Sequence, residues 1–140
     1  MIGLDLGSRR IGVAVTDELG LSAHPHATIE RHGGQRDLDA IRQVVTAQGA
    51  SRVVIGLPLS PEGERGRAAL AAERFAERLR AVLDVPIDLI DESFTTVEAT
   101  GVLLEADMSR ARRKQVVDRV AAALILRRWL DARRPGGTAP

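Results

Sequence analysis

The sequence predicts an α/β domain in which a mixed β-sheet carries helices on its faces. Three extended segments open the chain, and consecutive segments of this kind favour an antiparallel meander. After them, short β-branched runs alternate with longer stretches of helical spacing, which is typical of parallel strands joined by helices. A length of 140 residues suits one domain. A chain of that size buries roughly 70% of its unfolded surface around a single core.

Five segments are predicted as strands. Ile2 to Gly7 alternates between apolar residues and glycine or aspartate, and the alternation resumes from Ile11 to Val15 after Ser8-Arg9, which predicts a hairpin. A weaker extended segment reaches from about His24 to Glu30. The fourth segment is a short β-branched run typical of a buried strand. It covers residues 52–57, and the fifth strand covers residues 86–91.

Apolar residues at helical spacing predict the remaining elements. Helices are expected over residues 37–48, 67–83, 95–106 and 112–132. The second of these is rich in alanine, a strong helix former. Its apolar stripe is expected to consist of Leu70, Phe75, Leu79 and Val82. Residues 133–140 are rich in Pro and Gly and are expected to form a flexible tail, so that the domain covers residues 1–132.

Composition and charge narrow the classes of function. The chain lacks cysteine, which excludes disulfides and thiolate metal sites and favours a reducing cytoplasm. It has no apolar run long enough to cross a bilayer, so no membrane partner is expected. Nine basic and four acidic residues lie between Glu105 and Arg134, although the net charge of the chain is only +1. A basic cluster of this kind is the usual footprint of a nucleic-acid partner.

Several carboxylates occur where folding alone does not call for them. Asp5 lies in an apolar strand, where it could pair with an arginine or bind a metal ion. Asp91 and Glu92 stand at the carboxyl end of the last strand, where α/β sheets bind ligands, although an ordinary polar strand end is an equal alternative. Asp118 interrupts an apolar helix face and should meet a cation, either Lys114 one turn earlier or a metal ion.

Taken together, these acids predict a metal site. Carboxylate oxygens in a chain without cysteine suit Mg²⁺ or Mn²⁺ better than Zn²⁺. Two such ions can activate water and stabilise both the attacking and the leaving oxygen of a phosphodiester. Basic residues in the loop expected ahead of Asp118 would hold the flanking phosphates. These residues are Arg110, Arg112, Arg113 and Lys114.

Four motifs resemble those of the YqgF/RuvX family of ribonuclease H-like nucleases. They are Gly3-Leu-Asp-Leu-Gly-Ser-Arg-Arg-Ile-Gly-Val-Ala-Val-Thr-Asp17, Val54-Ile-Gly-Leu-Pro-Leu59, Asp91-Glu-Ser-Phe-Thr-Thr96 and Val117-Asp-Arg-Val-Ala-Ala-Ala-Leu-Ile-Leu126. The motifs occur in the family's order, and the resemblance spans about residues 1–131. It implies a ribonuclease H-like fold, in which a five-stranded mixed sheet flanked by helices has the first strand at its centre.

The resemblance also implies which residues act. The family's catalytic and metal-binding carboxylate triad corresponds to Asp5, Glu92 and Asp118. Arg10 matches the family's arginine after the first strand. Two positions depart from the family pattern, because Ser93 stands where Arg is usual and Ser60 where Asn is usual. The first departure removes a candidate phosphate contact or a partner for a neighbouring acid.

The function implied by the resemblance is phosphodiester hydrolysis by an endonuclease that uses Mg²⁺ or Mn²⁺. Members of the family are described as Holliday junction resolvases and as nucleases that process the 5′ end of pre-16S rRNA. Branched DNA and precursor ribosomal RNA are therefore both expected partners, and a symmetric homodimer would present two sites to a junction. We expect Arg9, Arg10 and the basic residues from Arg110 to Lys114 to contact phosphates.

Two other classes of protein stay open on the sequence alone. The opening Gly-x-Asp-x-Gly hairpin is shared with actin-like ATPases, which close two such domains over the nucleotide, whereas this chain supplies one. The second alternative is a nucleic-acid-binding protein without catalysis, which the absence of Arg at position 93 allows. Such a protein would bind with a steep salt dependence and would ignore removal of the carboxylates.

Overall fold

The computed structural model describes residues 1–7, 9–17, 22–57, 66–91 and 110–133. The strands in these ranges are β1 (Ile2–Leu6), β2 (Arg10–Thr16), β3 (Ala23–Glu30), β4 (Val53–Leu57) and β5 (Ile87–Asp91). The helices are α1 (Gln35–Gln48), α2 (Arg67–Val82) and α3 (Arg110–Arg133). Side chains of α3 are described from Val117 to Ala132.

The described strands form one mixed sheet in the order β3-β2-β1-β4-β5. The first three strands pair antiparallel in succession, while β4 pairs in parallel with both β1 and β5. Leu4 at the middle of β1 lies opposite Val13 on one side and Ile55 on the other. The predicted meander, the parallel strands and the central position of β1 are confirmed.

One face of the sheet packs on α1 and α2. Alternation along β1 turns Ile2 and Leu4 to this face, where both are fully buried. They share a core cluster with Ile41 of α1 and Leu79 of α2. Burying an apolar side chain of this size contributes about 1.5–3 kcal/mol, so this layer fixes how β1 is oriented. The same alternation turns Asp5 to the opposite face.

The opposite face packs on α3. Its core consists of Ala14, Val54, Ala122, Ala123, Ile125, Leu126 and Trp129. The sheet contributes small residues to this contact, and an ideal Cβ built on Gly3 would lie 2.8 Å from the main-chain oxygen of Ala122. Glycine at this position of β1 therefore allows the backbone of α3 to lie directly on the strand.

The packing face of α2 differs from the predicted stripe. Phe75 and Leu79 are buried and Val82 is partly buried, but Leu70 is 42% exposed, which corrects the prediction. Phe75 is five positions after Leu70, so the two side chains point about 140° apart around the helix. The remaining contacts of this face are made instead by alanines, namely Ala69, Ala72 and Ala76.

Helix α3 begins at Arg110, two residues before its predicted start. The segment from Arg110 to Lys114 therefore forms the first turns of the helix and is not a loop ahead of it. Arginine, alanine and lysine are strong helix formers, which outweighs the mild cost of cations near a helix N-terminus. Arg133 is still helical, whereas the rest of the predicted tail and the helix predicted over residues 95–106 lie outside the described residues. No described helix is long and apolar enough to cross a membrane.

Candidate functional site

The carboxyl ends of the parallel strands lie at one edge of the sheet, which we call the carboxyl edge. Strand β1 ends there at Leu6, β4 at Leu57 and β5 at Asp91. Because β2 runs in the opposite direction, its first residue, Arg10, lies at the same edge, opposite Glu30 at the end of β3. Open α/β sheets bind their ligands at this edge.

Asp5 and Asp118 come together on the face that packs on α3. In the β1–β2 ladder Asp5 lies opposite Gly12, so the two residues share one face of the sheet. An ideal Cβ on Gly12 would lie 1.9 Å from the main-chain oxygen of Asp118. Asp5 and Asp118 are therefore neighbours across Gly12, and both are half-buried. The fold thus unites two of the three predicted acids.

Arg10 is the cation that the structure places beside Asp118. Its Nε lies 3.6 Å from Oδ2 of Asp118, and its Nη1 lies 3.9 Å from Oε1 of Glu30. The sequence offered Lys114 or a metal ion as the cation for Asp118. A described partner comes from β2, because strand pairing brings a distant part of the chain under α3. Asp118 thus meets a cation, as expected. The predicted contact with Lys114, whose side chain lies outside the described part of the chain, stays a prediction, and so does the predicted metal ion.

The other predicted site residues are only partly described. Arg9 is exposed in the turn between β1 and β2. Glu92 lies outside the described residues and directly follows Asp91, so its place in the site stays a prediction. The main-chain oxygen of Asp91 accepts a hydrogen bond from Arg128 of α3, which ties the carboxyl end of β5 to this helix. Arg110, Arg112, Arg113 and Lys114 are placed by their backbone in α3, while their side chains lie outside the described part.

Sequence reasoning missed a buried acid close to the same edge. Asp37 is only 2% exposed and accepts hydrogen bonds from the main-chain N–H groups of His32, at 2.8 Å, and Gly33, at 3.1 Å. The Nε of Arg31 lies 3.6 Å from its Oδ2. Burial raises the pKa of Asp37, but the two hydrogen bonds and the Arg31 charge outweigh burial and hold this pKa below its ordinary value. The available signal was an acid in the first turn of a helix that follows two glycines.

The donors at the carboxyl edge fit a hard divalent cation. Asp5 and Asp118 offer carboxylate oxygens, which Mg²⁺ and Mn²⁺ prefer as ligands. Within the described ranges no three His, Cys, Asp or Glu side chains lie close enough to hold a metal ion together. A complete site needs another donor, and Glu92, the predicted one, follows directly on the last residue of β5. The carboxylates already accommodate one positive charge, that of Arg10.

Comparison with known sequences places the chain in a family. The family model described as "RuvX: Holliday junction resolvase" matches residues 1–132. A protein of Myxococcus xanthus (strain DK1622) named "Putative pre-16S rRNA nuclease" is 49% identical over 137 residues, which covers 98% of this chain and 91% of the relative. A protein of the same name from Moorella thermoacetica is 45% identical over 131 residues, which covers 94% of this chain and 94% of the relative.

Solved structures share the fold. RuvC of T. thermophilus in complex with a Holliday junction substrate matches with a TM-score of 0.51 at 18% identity, covering 94% of each chain. The yeast mitochondrial Holliday junction resolvase Ydc2 matches with a TM-score of 0.50 at 13% identity, covering 92% of this chain and 76% of the other. At such identities the likeness concerns the fold alone, and it confirms the ribonuclease H-like architecture. Since the family model covers nearly the whole chain and sequence relatives share up to 49% of its residues, the chain belongs to the RuvX family.

Proposed function

We propose that this protein is a divalent-metal-dependent nuclease that hydrolyses phosphodiester bonds in structured nucleic acid. The observation that carries the proposal is the convergence of Asp5 and Asp118 at the carboxyl edge, with Arg10 beside them. Carboxylates next to a guanidinium can hold a divalent cation and a phosphate side by side. The description of the family and the names of the relatives are those of nucleic-acid-cleaving enzymes, which supports the proposal.

In this proposal Asp5, Asp118 and Glu92 hold Mg²⁺ or Mn²⁺. Two ions bound by such carboxylates would supply an activated water and stabilise the charge on the leaving oxygen. The chain itself contributes preorganisation. Gly12 lets the backbone of α3 bring Asp118 to Asp5, and the ion pair with Arg10 orients the Asp118 carboxylate. No covalent intermediate with a side chain is expected.

Basic residues on both sides of the acids would bind the phosphates of the substrate. Arg9 is exposed in the β1–β2 turn and directly precedes Arg10. The first turns of α3 carry Arg110, Arg112, Arg113 and Lys114. Along the helix axis these residues lie within about 6–12 Å of Asp118, at about 1.5 Å per residue. Contacts to phosphates position a nucleic acid without reading its sequence, so recognition would depend on backbone and shape.

Precursor ribosomal RNA is the substrate that the sequence relatives favour. Relatives with the pre-16S rRNA nuclease name reach 40–49% identity across almost the whole chain. The two solved resolvases share 18% and 13% identity with this chain and support the fold alone. Branched DNA is the second candidate because the family model is described as a Holliday junction resolvase. A junction requires paired cuts, and a symmetric homodimer would supply two sites.

A cleavage assay tests the proposal on three substrates: a fragment spanning the 5′ end of pre-16S rRNA, a four-way DNA junction and an unbranched duplex. Each is incubated with purified protein and Mg²⁺, Mn²⁺ or EDTA. We expect cleavage of a structured substrate with either metal and none with EDTA. Asp5→Asn and Asp118→Asn should each lower the rate by about a hundredfold or more, since loss of groups that merely support metal ligands already costs about 10–100-fold.

Asp39→Asn provides the matched control, because Asp39 is exposed on α1 and its carboxylate accepts a hydrogen bond from Gln35. This variant should cleave at the rate of the unaltered protein. If the protein cleaves none of the three substrates with either metal, the proposal is contradicted. The remaining hypothesis would then be a nucleic-acid-binding protein without catalysis. A rate unchanged by Asp118→Asn would remove Asp118 from the site.

A further inference from the structure

A second cluster of polar groups lies at the carboxyl edge, on the side of the sheet that packs on α1 and α2. We call it the Asp37 cluster, and it consists of Arg31, His32, Gly33 and Asp37. The Asp37 carboxylate is almost fully buried and is surrounded by two main-chain donors and the Arg31 guanidinium. A buried carboxylate is costly unless it is paired and hydrogen-bonded, and here each of these requirements is met. The cluster therefore anchors Arg31 through charge and burial.

From this anchor Arg31 reaches the turn between β1 and β2. Its Nη1 donates a hydrogen bond of 2.7 Å to the main-chain oxygen of Gly7, directly after β1. Its main-chain N–H donates to the oxygen of Arg9 at 2.9 Å. Its guanidinium carbon lies 5.5 Å from the centre of the Phe75 ring, within the range of a cation–π contact. Arg31 thus contacts both sides of the turn while α2 supports its guanidinium.

The turn that Arg31 contacts carries the candidate site. Gly7 follows Asp5 by two residues, and its N–H donates to the main-chain oxygen of Arg10 at 2.9 Å. A shift of the Gly7 peptide group would therefore move Asp5 and Arg10 relative to Asp118. Asp5 and Arg10 face α3, whereas the Asp37 cluster lies on the other side of the sheet. Arg31 consequently holds the turn from the side that faces away from Asp118.

We propose that Arg31 is a positioning residue of the nuclease site: held by the buried Asp37, it fixes the Gly7 carbonyl and so keeps Asp5 and Arg10 in register with Asp118. The inference rests on the proposed function for the identity of the site. It assigns a role to two charged residues, Arg31 and Asp37, which lie on the other side of the sheet from Asp5 and Asp118. Small displacements of catalytic groups are costly to rate, which is why a fixed turn matters.

Arg31 could instead serve only to neutralise the charge of Asp37. The geometry of its guanidinium distinguishes this role from that of holding the turn. Arg31 uses Nε towards Asp37 and Nη1 towards Gly7, so two nitrogens of one planar group serve two partners at once. Lysine carries a single compact ammonium on a flexible stem. The Arg31→Lys substitution can therefore neutralise Asp37 but cannot also hold the Gly7 carbonyl in the same fixed geometry.

The experiment compares Arg31→Lys with Arg36→Lys, an exposed position on α1 that serves as the control. Amide hydrogen exchange at Gly7 is measured by NMR, and kcat and KM are measured on whichever substrate the unaltered protein cleaves. The Gly7 N–H donates to the Arg10 carbonyl, and its exchange reports how often the turn opens. In Arg31→Lys we expect this exchange to become about tenfold faster, because the turn loses the hydrogen bond from a charged group to the Gly7 carbonyl. We expect kcat to fall about tenfold or more with KM nearly unchanged. Arg36→Lys should change neither quantity.

Unchanged exchange at Gly7 together with unchanged kcat in a folded Arg31→Lys variant would overturn the proposal. If that variant does not fold, Asp37→Asn replaces it, because the amide can still accept a main-chain hydrogen bond but no longer holds Arg31 by charge. In Asp37→Asn, faster amide exchange at Gly7 supports the proposal, and unchanged exchange overturns it. If the unaltered protein cleaves no substrate, the proposed function fails, and exchange at Gly7 alone decides whether Arg31 holds the turn.

Discussion

At Gly12 the main chain of β2 touches the main chain of α3. The hydrogen that glycine carries in place of a side chain leaves room for the Asp118 carbonyl, whose oxygen lies 1.9 Å from an ideal Cβ position. The carbon of the same carbonyl lies 2.4 Å from the ideal Cβ position. A methyl group at residue 12 would therefore clash with both the carbon and the oxygen of the Asp118 carbonyl. A backbone contact cannot be relieved by a rotamer change, and α3 would have to move.

We therefore expect Gly12→Ala to destabilise the protein by about 1–3 kcal/mol, the usual cost of overpacking. The displaced helix should also separate Asp118 from Asp5 and lower the rate of cleavage. Urea denaturation and the cleavage assay measure these two effects. A Gly12→Ala variant with the stability and activity of the unaltered protein would show that α3 does not rest on β2 at this point.

Asp37 makes stability depend on pH in a definite direction. Its pKa in the folded protein is held below the ordinary value, so the unfolded chain binds more protons at pH values between the two. The contribution of Asp37 to stability is therefore complete above about pH 4, and it is lost as the pH falls through the folded-state pKa.

Asp37→Asn should accordingly be about 2 kcal/mol less stable than the unaltered protein near neutral pH, since the substitution removes hydrogen bonds to a charged group. The difference should narrow as the pH approaches the folded-state pKa of Asp37. Urea unfolding at a series of pH values measures it, with the exposed Asp39→Asn as the control. A difference in stability that stays constant down to strongly acidic pH would mean that folding does not lower the pKa of Asp37.

At the scale of elements, helix α3 has an apolar part that packs on the sheet and a basic N-terminal part. From Ala121 to Trp129 its inward face is buried against the sheet, and its first turns carry the basic residues from Arg110 to Lys114. Cations at a helix N-terminus oppose the helix dipole, so this arrangement does not serve the stability of the helix. An anionic ligand would compensate for it.

Replacing Arg112, Arg113 and Lys114 together with alanine tests this arrangement. We expect weaker binding to all sequences alike, and the slope of log K against log salt should fall by up to ~0.9 for each duplex phosphate that the variant no longer neutralises. Folding should be unaffected or slightly improved, because alanine favours the helix and the dipole penalty disappears. Fluorescence anisotropy at several salt concentrations measures the slope, and thermal unfolding measures the stability.

The matched control removes the same charge from exposed positions on α1 and α2. It combines Arg36→Ala, Arg42→Ala and Arg74→Ala, and these positions lie on the elements that cover the opposite face of the sheet. Its salt slope should stay near that of the unaltered protein. An equal decrease of slope in the two triple variants would mean that net charge, and not the start of α3, governs binding.

At the scale of the whole molecule, the central strand β1 connects two layers with different tasks. Leu4 is fully buried in the layer of α1 and α2, while the next residue, Asp5, faces α3 and the candidate site. The carboxyl edge repeats this division, because the Asp37 cluster contacts the β1–β2 turn from one layer and Asp118 approaches it from the other. The apolar core and the Asp37 cluster thus lie on the side of β1 that faces away from Asp118.

The sequence by itself determined the kinds of element and, along β1, the face that each residue presents. A period of two along β1 is enough to turn Asp5 away from the core, and helical spacing is enough to predict α1, α2 and most of α3. Chemistry alone also marked Asp5 and Asp118 as unusual, since carboxylates in apolar elements need a partner. The type of an element and the alternation of its faces are local properties, so the periodicity of the sequence is enough to predict them.

The tertiary structure alone decided which residues meet. Arg10 became a partner of Asp118, Gly12 the point of contact with α3, and Asp37 the buried anchor of Arg31. It also decided that alanines of α2, and not Leu70, pack on the sheet. The contacts of Arg10 and Gly12 with α3 join segments that are distant in sequence, and the packing of α2 depends on how closely helix and sheet approach. The Arg31–Asp37 pair is closer in sequence and depends on the path of the chain between β3 and α1. Strand order and the packing distance between helix and sheet set such contacts, and neither leaves a repeating pattern along the chain.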